Sequence, residues 1–374
     1  MPEKQAAEQN KLKTKILFVR TTLGQGGADR VTIQLLKHLN RDRFTAELTL
    51  MRTEGVFLGD VPQDVPVHSL NARSLWFTLR PLAKLLRENN YDVIYSTCTG
   101  SNIPLCLIKS LFRIQTSLVI SERSAVNRTD SPKQWLLFRL KKSLYRHATW
   151  VTAVSAAIAQ QIAAQLNVPE EQIVVVHNPL IDDALRDSKH ESVEHPFFSK
   201  DRIPVILAAG RLVGVKNFKM LLKALKSVLN QIRVNLCILG EGPLLNDLIR
   251  YAEELGISDH VSFLGFDKNP YKFMSRCDIF VLSSNFEGMP GVLVQAMACG
   301  AAIISTDCPT GPNEIVTHGE NGFLVPTNDS EAMARRIIQL LQNTNLRRQF
   351  QMHAPASVKR FEKEQAMRSY FNFL

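Results

Sequence analysis

The stretch "IFVLSSNFEGMPGVLVQAMACGAAIISTD", residues 279–307, decides the fold. "IFVLSS" reads as a buried strand, "NFEGMP" as a loop, "GVLVQAMACG" as an apolar helix, and "AAIISTD" as a second apolar strand that ends in polar residues. Strand, helix and strand in so short a span form a βαβ unit, and such units build a mostly parallel sheet wrapped by helices. Pro290 suits an early helical position, which puts Glu287 in the loop near a helix amino end. Gln295 is the one strongly polar side chain of that helix, so it needs a partner from backbone, water or ligand.

The same alternation runs outward from this unit. "PVILAAG", "VNLCILG" and "VSFLG" are strands before it, separated by the helical patterns "NFKMLLKALKSVLN" and "LLNDLIRYAEELG", and "GFLVP" is a strand after it. An earlier series holds the strands "KILFVR", "AELTLMR", "VPVHSL", "DVIYSTC", "SLVISE", "WVTAVS" and "IVVVHNP", with helical patterns such as "VTIQLLKHLN" and "LRPLAKLLRENN" between several of them. The chain therefore divides into an N-terminal Rossmann-like domain over residues 1–180 and a second over residues 203–352. Residues 181–202, polar and poor in pattern, read as the linker, and residues 353–374 as a C-terminal helix that crosses back to the first domain. Ligands of doubly wound sheets bind at the carboxyl ends of the strands, so a ligand shared by both domains is expected in a central cleft.

Length and composition agree with two domains: 374 residues, 45% hydrophobic and 21% charged, with no long low-complexity tract. The amino terminus "MPEKQAAEQNKLKTK" lacks the apolar core of an export signal, and no apolar run reaches the length of a membrane-spanning helix. The six cysteines have no metal-type spacing and read as reduced thiols, and the scattered histidines suggest no metal site. The net charge of +10 is concentrated in the first half, which suggests an anionic partner surface, acidic lipid or nucleic acid. No nucleic-acid recognition module is present in the sequence, which leaves the lipid.

Three stretches could carry chemistry. Gly24, Gly26 and Gly27 lie between a strand and a helix, where free amides and the helix dipole favour a phosphate or serve only a tight turn. Arg211 and Lys216 follow the strand "PVILAAG" and make either a clamp suited to a diphosphate or two solvated surface cations. "TGPNEI" offers the amides of Thr310 and Gly311, with Glu314 as a cap or a solvated acid.

"GGADRV", "GRLVGVKNF", "LGEGPL", "FEGMPGVLVQAMACG" and "STDCPTGPNEIVTHGENGFLVP" resemble the retaining family-four glycosyltransferases of the GT-B fold. The resemblance spans nearly the whole chain and is densest over residues 210–326. It implies an α/β fold of two Rossmann-like domains facing a cleft. The implied activity is hexosyl transfer from a nucleotide diphosphate sugar, such as a UDP-sugar, to an acceptor hydroxyl with retention, without metal or other cofactor. By the same resemblance, Arg211 and Lys216 stabilise the departing diphosphate and Glu287 meets the donor sugar. Gly210, Gly288, Met289, Pro290 and Gly291 line the donor path, and Gly26 and Gly27 approach the diphosphate from the first domain. No protein nucleophile is implied. The sequence departs from the pattern at Gln295, where the family has a second Glu that holds the ribose, and at Ser121, Glu122 and Arg123, where many relatives have a His. Glu122 and Arg123 are accordingly acceptor candidates.

The segment "SPKQWLLFRLKKSLYRHATW" carries Lys133, Arg139, Lys141, Lys142 and Arg146 with no acid, among Trp135, Leu136 and other apolar residues. It reads as a basic amphipathic helix, either an ordinary domain helix whose cations face water or one for an anionic membrane surface; the latter favours a bacterial enzyme, cytoplasmic and peripheral on the inner face of the cell membrane, that extends a lipid-linked or cell-surface glycan in polysaccharide biosynthesis. Two alternatives stand beside this reading: a GT-B enzyme with a soluble acceptor, and a non-catalytic nucleotide-sugar binding protein.

Overall fold

The computed structural model describes residues 13–24, 26–72, 75–123, 126, 131–199 and 202–372. Most of the amino-terminal stretch read above for an export signal, residues 1–12, lies outside the described residues.

The first sheet contains β1 (Thr14–Arg20), β2 (Phe44–Leu50), β3 (Val67–Ser69), β4 (Val93–Ser96), β5 (Ser117–Glu122), β6 (Trp150–Ala153) and β7 (Ile173–Val175). Their order is β3-β2-β1-β4-β5-β6-β7, and every pairing is parallel. The second contains β8 (Val205–Ala209), β9 (Asn235–Leu239), β10 (Val261–Gly265), β11 (Ile279–Leu282), β12 (Ala302–Thr306) and β13 (Phe323–Val325), in the order β10-β9-β8-β11-β12-β13, again all parallel. Each expected strand is present.

In both sheets the order turns back beside the first strand, between β1 and β4 and between β8 and β11. Chain leaves these neighbours toward opposite sides of the sheet, and the crevice opens at their carboxyl ends. That geometry is what makes the loops after β1, β8 and β11 the places to look for a site.

Sequence pattern explains the elements. β8 is buried along its whole length, as expected of a strand covered on both faces. The helix Phe218–Leu229 turns Leu221, Leu222, Leu225 and Val228 inward, while Lys219, Lys223 and Lys226 face water at helical spacing. The second core assembles these leucines with Ile206, Ile238, Val281 and Ile304 from the sheet.

The chain forms two compact units, one running up to His177 and taking in the residues from Met367 onward, the other Asn178–Ala366. In the first unit Tyr370 is 1% exposed and meets Tyr95 edge to face at 6.0 Å, and Phe371 stacks on Phe44 at 5.5 Å. The segment read as a linker is tied into the second unit. Ile181 donates its amide to Phe361 O at 3.1 Å, Ser275 Oγ donates to Lys189 O at 2.6 Å, and the His195 ring meets Ser262 Oγ at 3.0 Å.

All six cysteines are free, and burial pushes the thiols of Cys106, Cys237, Cys299 and Cys308 up to about 12. Such thiols are poor nucleophiles. Among the described residues no helix is long and apolar enough to cross a membrane.

Candidate active site

β8 and β11 are adjacent and parallel, so the loops that follow them emerge side by side. Lys216 closes a short turn, Gly214–Lys216, after β8, and Glu287 lies in the loop after β11. Lys216 Nζ donates to Glu287 Oε1 at 2.6 Å, and Ser284 Oγ donates to the same oxygen at 2.6 Å. Both side chains are largely shielded, Lys216 at 20% and Glu287 at 11% exposure, so this charge-assisted pair is stronger than a surface ion pair. Among the described residues no hydrogen bond reaches Glu287 Oε2, which leaves that oxygen able to accept from a ligand hydroxyl.

The backbones of the two loops are stitched together as well. Ser283 Oγ donates to Lys216 O at 2.8 Å, and the Asn285 amide donates to Val215 O at 2.8 Å. Asn217 donates through Nδ2 to Asn285 Oδ1 at 3.0 Å and to Asn328 Oδ1 at 2.8 Å. Arg211 is exposed on the same loop, with no ion pair among the described residues. The structure thus presents one cation already committed to a carboxylate and one facing solvent.

Two glycines make this packing possible. Gly240 has φ +129, and a Cβ there would lie 2.1 Å from Gly210 O, so the loop after β9 can support the Gly210–Arg211 backbone only without a side chain. Gly311 has φ +92, and its Cβ would meet Pro290 Cδ at 2.7 Å and Gly288 O at 2.9 Å. Gly288, Met289 and Pro290 are buried against that turn, and Thr310 Oγ1 donates to Glu287 O. Gly291 begins the helix Gly291–Ala298, whose cap is Pro290.

Gln295 sits inside that helix at 6% exposure and donates through Nε2 to Tyr271 OH at 3.3 Å. The partner required by a lone polar side chain is therefore supplied within the protein, by a neighbouring short helix, Tyr271–Met274.

Gly26, Gly27, Glu122 and Arg123 belong to the first unit. Gly26 caps the helix Gly27–His38, and its amide donates to Asp29 Oδ2 at 3.0 Å, so this amide is already used. Glu122, at the end of β5, is 2% exposed; its Oε2 accepts from Lys141 Nζ at 2.6 Å and from Tyr145 OH at 3.1 Å. Lys141 consequently points inward, whereas Lys133, Trp135, Leu136, Arg139, Lys142 and Arg146 are exposed on or beside the helix Pro132–Leu144. Arg123 follows Glu122 at partial exposure.

Ser284, Tyr271, the Thr310 hydroxyl and Gly240 escaped sequence reasoning. Only Gly240 had a local signal, the glycine after the strand "VNLCILG"; the others act through contacts 3 to 24 residues away in sequence.

The family model described as "Glycosyl transferase 4-like domain" matches residues 26–179, and that described as "Glycosyl transferases group 1" matches residues 191–356. The putative glycosyltransferase EpsD of Bacillus subtilis is 35% identical over 305 residues, which is 76% of each chain. A Campylobacter jejuni N-acetylgalactosamine-N,N'-diacetylbacillosaminyl-diphospho-undecaprenol 4-alpha-N-acetylgalactosaminyltransferase is 27% identical over 370 residues, covering 94% of this chain and 97% of the relative. The structure of Anabaena HepE in complex with UDP aligns with a TM-score of 0.80 at 23% identity, covering 96% of this chain and 99% of that one, a likeness of fold. With the parallel sheets of both units matched and both halves of the sequence recognised, the chain belongs to the group 1 glycosyltransferases and has the GT-B fold.

Proposed function

We propose that this enzyme is a retaining hexosyltransferase that moves a hexose or N-acetylhexosamine from a UDP-sugar to a hydroxyl of a lipid-linked glycan. The observation that carries the reading is the loop pair after β8 and β11, which sets Lys216 against Glu287 and leaves Arg211 exposed on the β8 loop. A nucleotide diphosphate leaving group gains charge as its bond to the anomeric carbon breaks, and preformed cations stabilise that charge most where water is scarce. Arg211 and Lys216 serve this role without a metal ion, and Glu287 Oε2 accepts from a hydroxyl of the donor sugar. In the displacement, the acceptor oxygen attacks the anomeric carbon from the side the diphosphate leaves. The carbon–oxygen bond to the β-phosphate breaks, and the acceptor proton passes to the departing phosphate oxygen. Gln295 holds the ribose with a neutral amide in place of a carboxylate, and Arg123, beside Glu122, serves the acceptor.

Two further findings support the substrate class. HepE was solved with UDP, and the Campylobacter relative acts on a diphospho-undecaprenol acceptor by its name. The exposed Trp135 and Leu136 lie among Lys133, Arg139, Lys142 and Arg146, and Trp135, Phe138, Arg139, Lys142 and Arg146 line a groove of about 480 Å³. An apolar pair ringed by cations suits an anionic bilayer, to which each Lys or Arg contributes about 1 kcal/mol. We place the enzyme there, on the inner face of a bacterial membrane.

The test is transfer of labelled sugar from UDP-hexoses and UDP-N-acetylhexosamines to undecaprenyl-diphosphate glycans in vesicles containing anionic phospholipid. Arg211→Ala and Lys216→Ala should each lower turnover at least about tenfold with the fold intact. Wild-type rates in both variants would sink the site; turnover only with soluble acceptors, or no sedimentation with the vesicles, would sink the lipid assignment.

A further inference from the structure

Arg20 is the last residue of β1 and is 4% exposed, a position where a cation without compensation would be strongly unfavourable. Its guanidinium donates through Nη2 to Asp29 Oδ1 and through Nη1 to Thr97 Oγ1, with longer bonds from Nη1 to Thr32 Oγ1 at 3.3 Å and from Nε to Thr22 O at 3.3 Å. Asp29 stands in the first turn of the helix Gly27–His38, and its other oxygen accepts the Gly26 amide at 3.0 Å. One carboxylate thus holds the glycine loop with one oxygen and a buried cation with the other.

This arrangement has an electrostatic consequence. The amino end of a helix attracts one anion, and Asp29 is already that anion. Of the first-turn amides, those of Asp29 and Arg30 bond to Gly26 O at 3.0 and 3.2 Å, and Gly26 spends its own on Asp29. Among the described residues of that first turn, the amides of Gly27 and Ala28 are therefore the ones left to a diphosphate, next to a carboxylate that repels it unless its charge is cancelled.

We propose that Arg20 is a positioning residue of the glycine loop: it neutralises Asp29, so that the carboxylate shapes the loop without repelling the diphosphate the loop receives. The proposal rests on the reading of the Gly26–Gly27 loop as a donor contact, with Gly26 held by Asp29 and Gly27 supplying the amide. It assigns to a buried ion pair a role that the alternative, a purely structural pair, does not share, because only the former depends on the charge left behind when one partner is removed.

The test measures UDP binding to the full-length chain by calorimetry, with a melting curve for each variant. Arg20→Met leaves Asp29 uncompensated and should weaken UDP at least about tenfold, a deficit that narrows as salt is raised. Arg20→Met combined with Asp29→Asn leaves no orphan charge and should restore affinity close to wild type. Arg20→Lys keeps the charge, should also stay close to wild type, and reports in place of Arg20→Met if that variant does not fold. Wild-type affinity in Arg20→Met, a double variant as weak as the single, a deficit indifferent to salt, or a tenfold loss in Arg20→Lys overturns the proposal. If Lys216→Ala loses UDP while Arg20→Met binds it normally, the donor reading stands and the role of Arg20 falls. A wild-type chain that binds neither UDP nor GDP removes both.

Discussion

Glu287 Oε1 accepts from Lys216 and Ser284 at once, so Lys216 is neutralised before any substrate arrives. A diphosphate must then compete with Glu287 for that cation, and removing the carboxylate's charge should release it. Glu287→Gln is accordingly expected to bind free UDP several-fold more tightly, about 1 kcal/mol, while transferring sugar more slowly because the sugar-facing oxygen is weakened. Calorimetry with UDP decides it: an unchanged dissociation constant means the pair is electrostatically idle. Gln295 is the complementary case. It is buried against Tyr271, whose hydroxyl accepts from its amide, and Gln295→Glu would put an ionised acceptor where the ribose is proposed to bind. The expected outcome is UDP binding tighter by about 1 kcal/mol, and equal or weaker binding would remove the ribose role. Sequence pattern named both residues from their types and spacing. It could not show their partners, since Lys216 lies 71 residues from Glu287 and Tyr271 lies 24 from Gln295.

At the scale of elements, the first sheet is pinned by one carboxylate that spans neighbouring segments. Glu47 on β2 accepts from Lys15 on β1 at 2.8 Å, from the His68 ring N–H on β3 at 2.8 Å and from Tyr91 OH at 2.6 Å. Burial would raise the Glu47 carboxyl, but the hydrogen bonds from Lys15, Tyr91 and His68 outweigh it and lower the carboxyl from 4.5 to about 2. A folded-state value below the unfolded one stabilises the protein above pH 4.5 and is lost as pH falls toward about 2. The contribution is of order 2 kcal/mol once solvent screening is allowed for. Denaturant melts of wild type and Glu47→Gln should differ by this amount near neutral pH and converge as pH drops through that window; a gap independent of pH would show that Glu47 acts by packing alone. The strands themselves were legible as apolar runs between turn residues. The charge that joins β1, β2 and β3 was not, because a polar residue on a strand carries no mark of which neighbour it will face.

For the whole molecule, the residues from Met367 onward complete the first unit, although the chain reaches them only after building the second. Met367 is 5% and Tyr370 1% exposed, and Tyr370 and Phe371 pack on Tyr95 and Phe44. Truncation after Ala366 removes these rings and should cost the first unit at least about 3 kcal/mol. Hydrogen exchange should then show lost protection in β1, β2 and β4 with β8, β9 and β11 unaffected, and protection unchanged throughout would argue against a stabilising role for this terminus.

The sequence by itself determined the two parallel-sheet domains, the loop positions of Arg211, Lys216 and Glu287, and the family, because apolar periodicity and loop motifs are local properties of the chain. Only the tertiary structure decided how charges are shared: Lys216 with Glu287, Arg20 with Asp29, and Lys141 with Glu122 rather than with water. An ion pair depends on the strand order that brings its two ends together, and strand order is fixed by packing the whole sheet, not by any stretch that can be read alone.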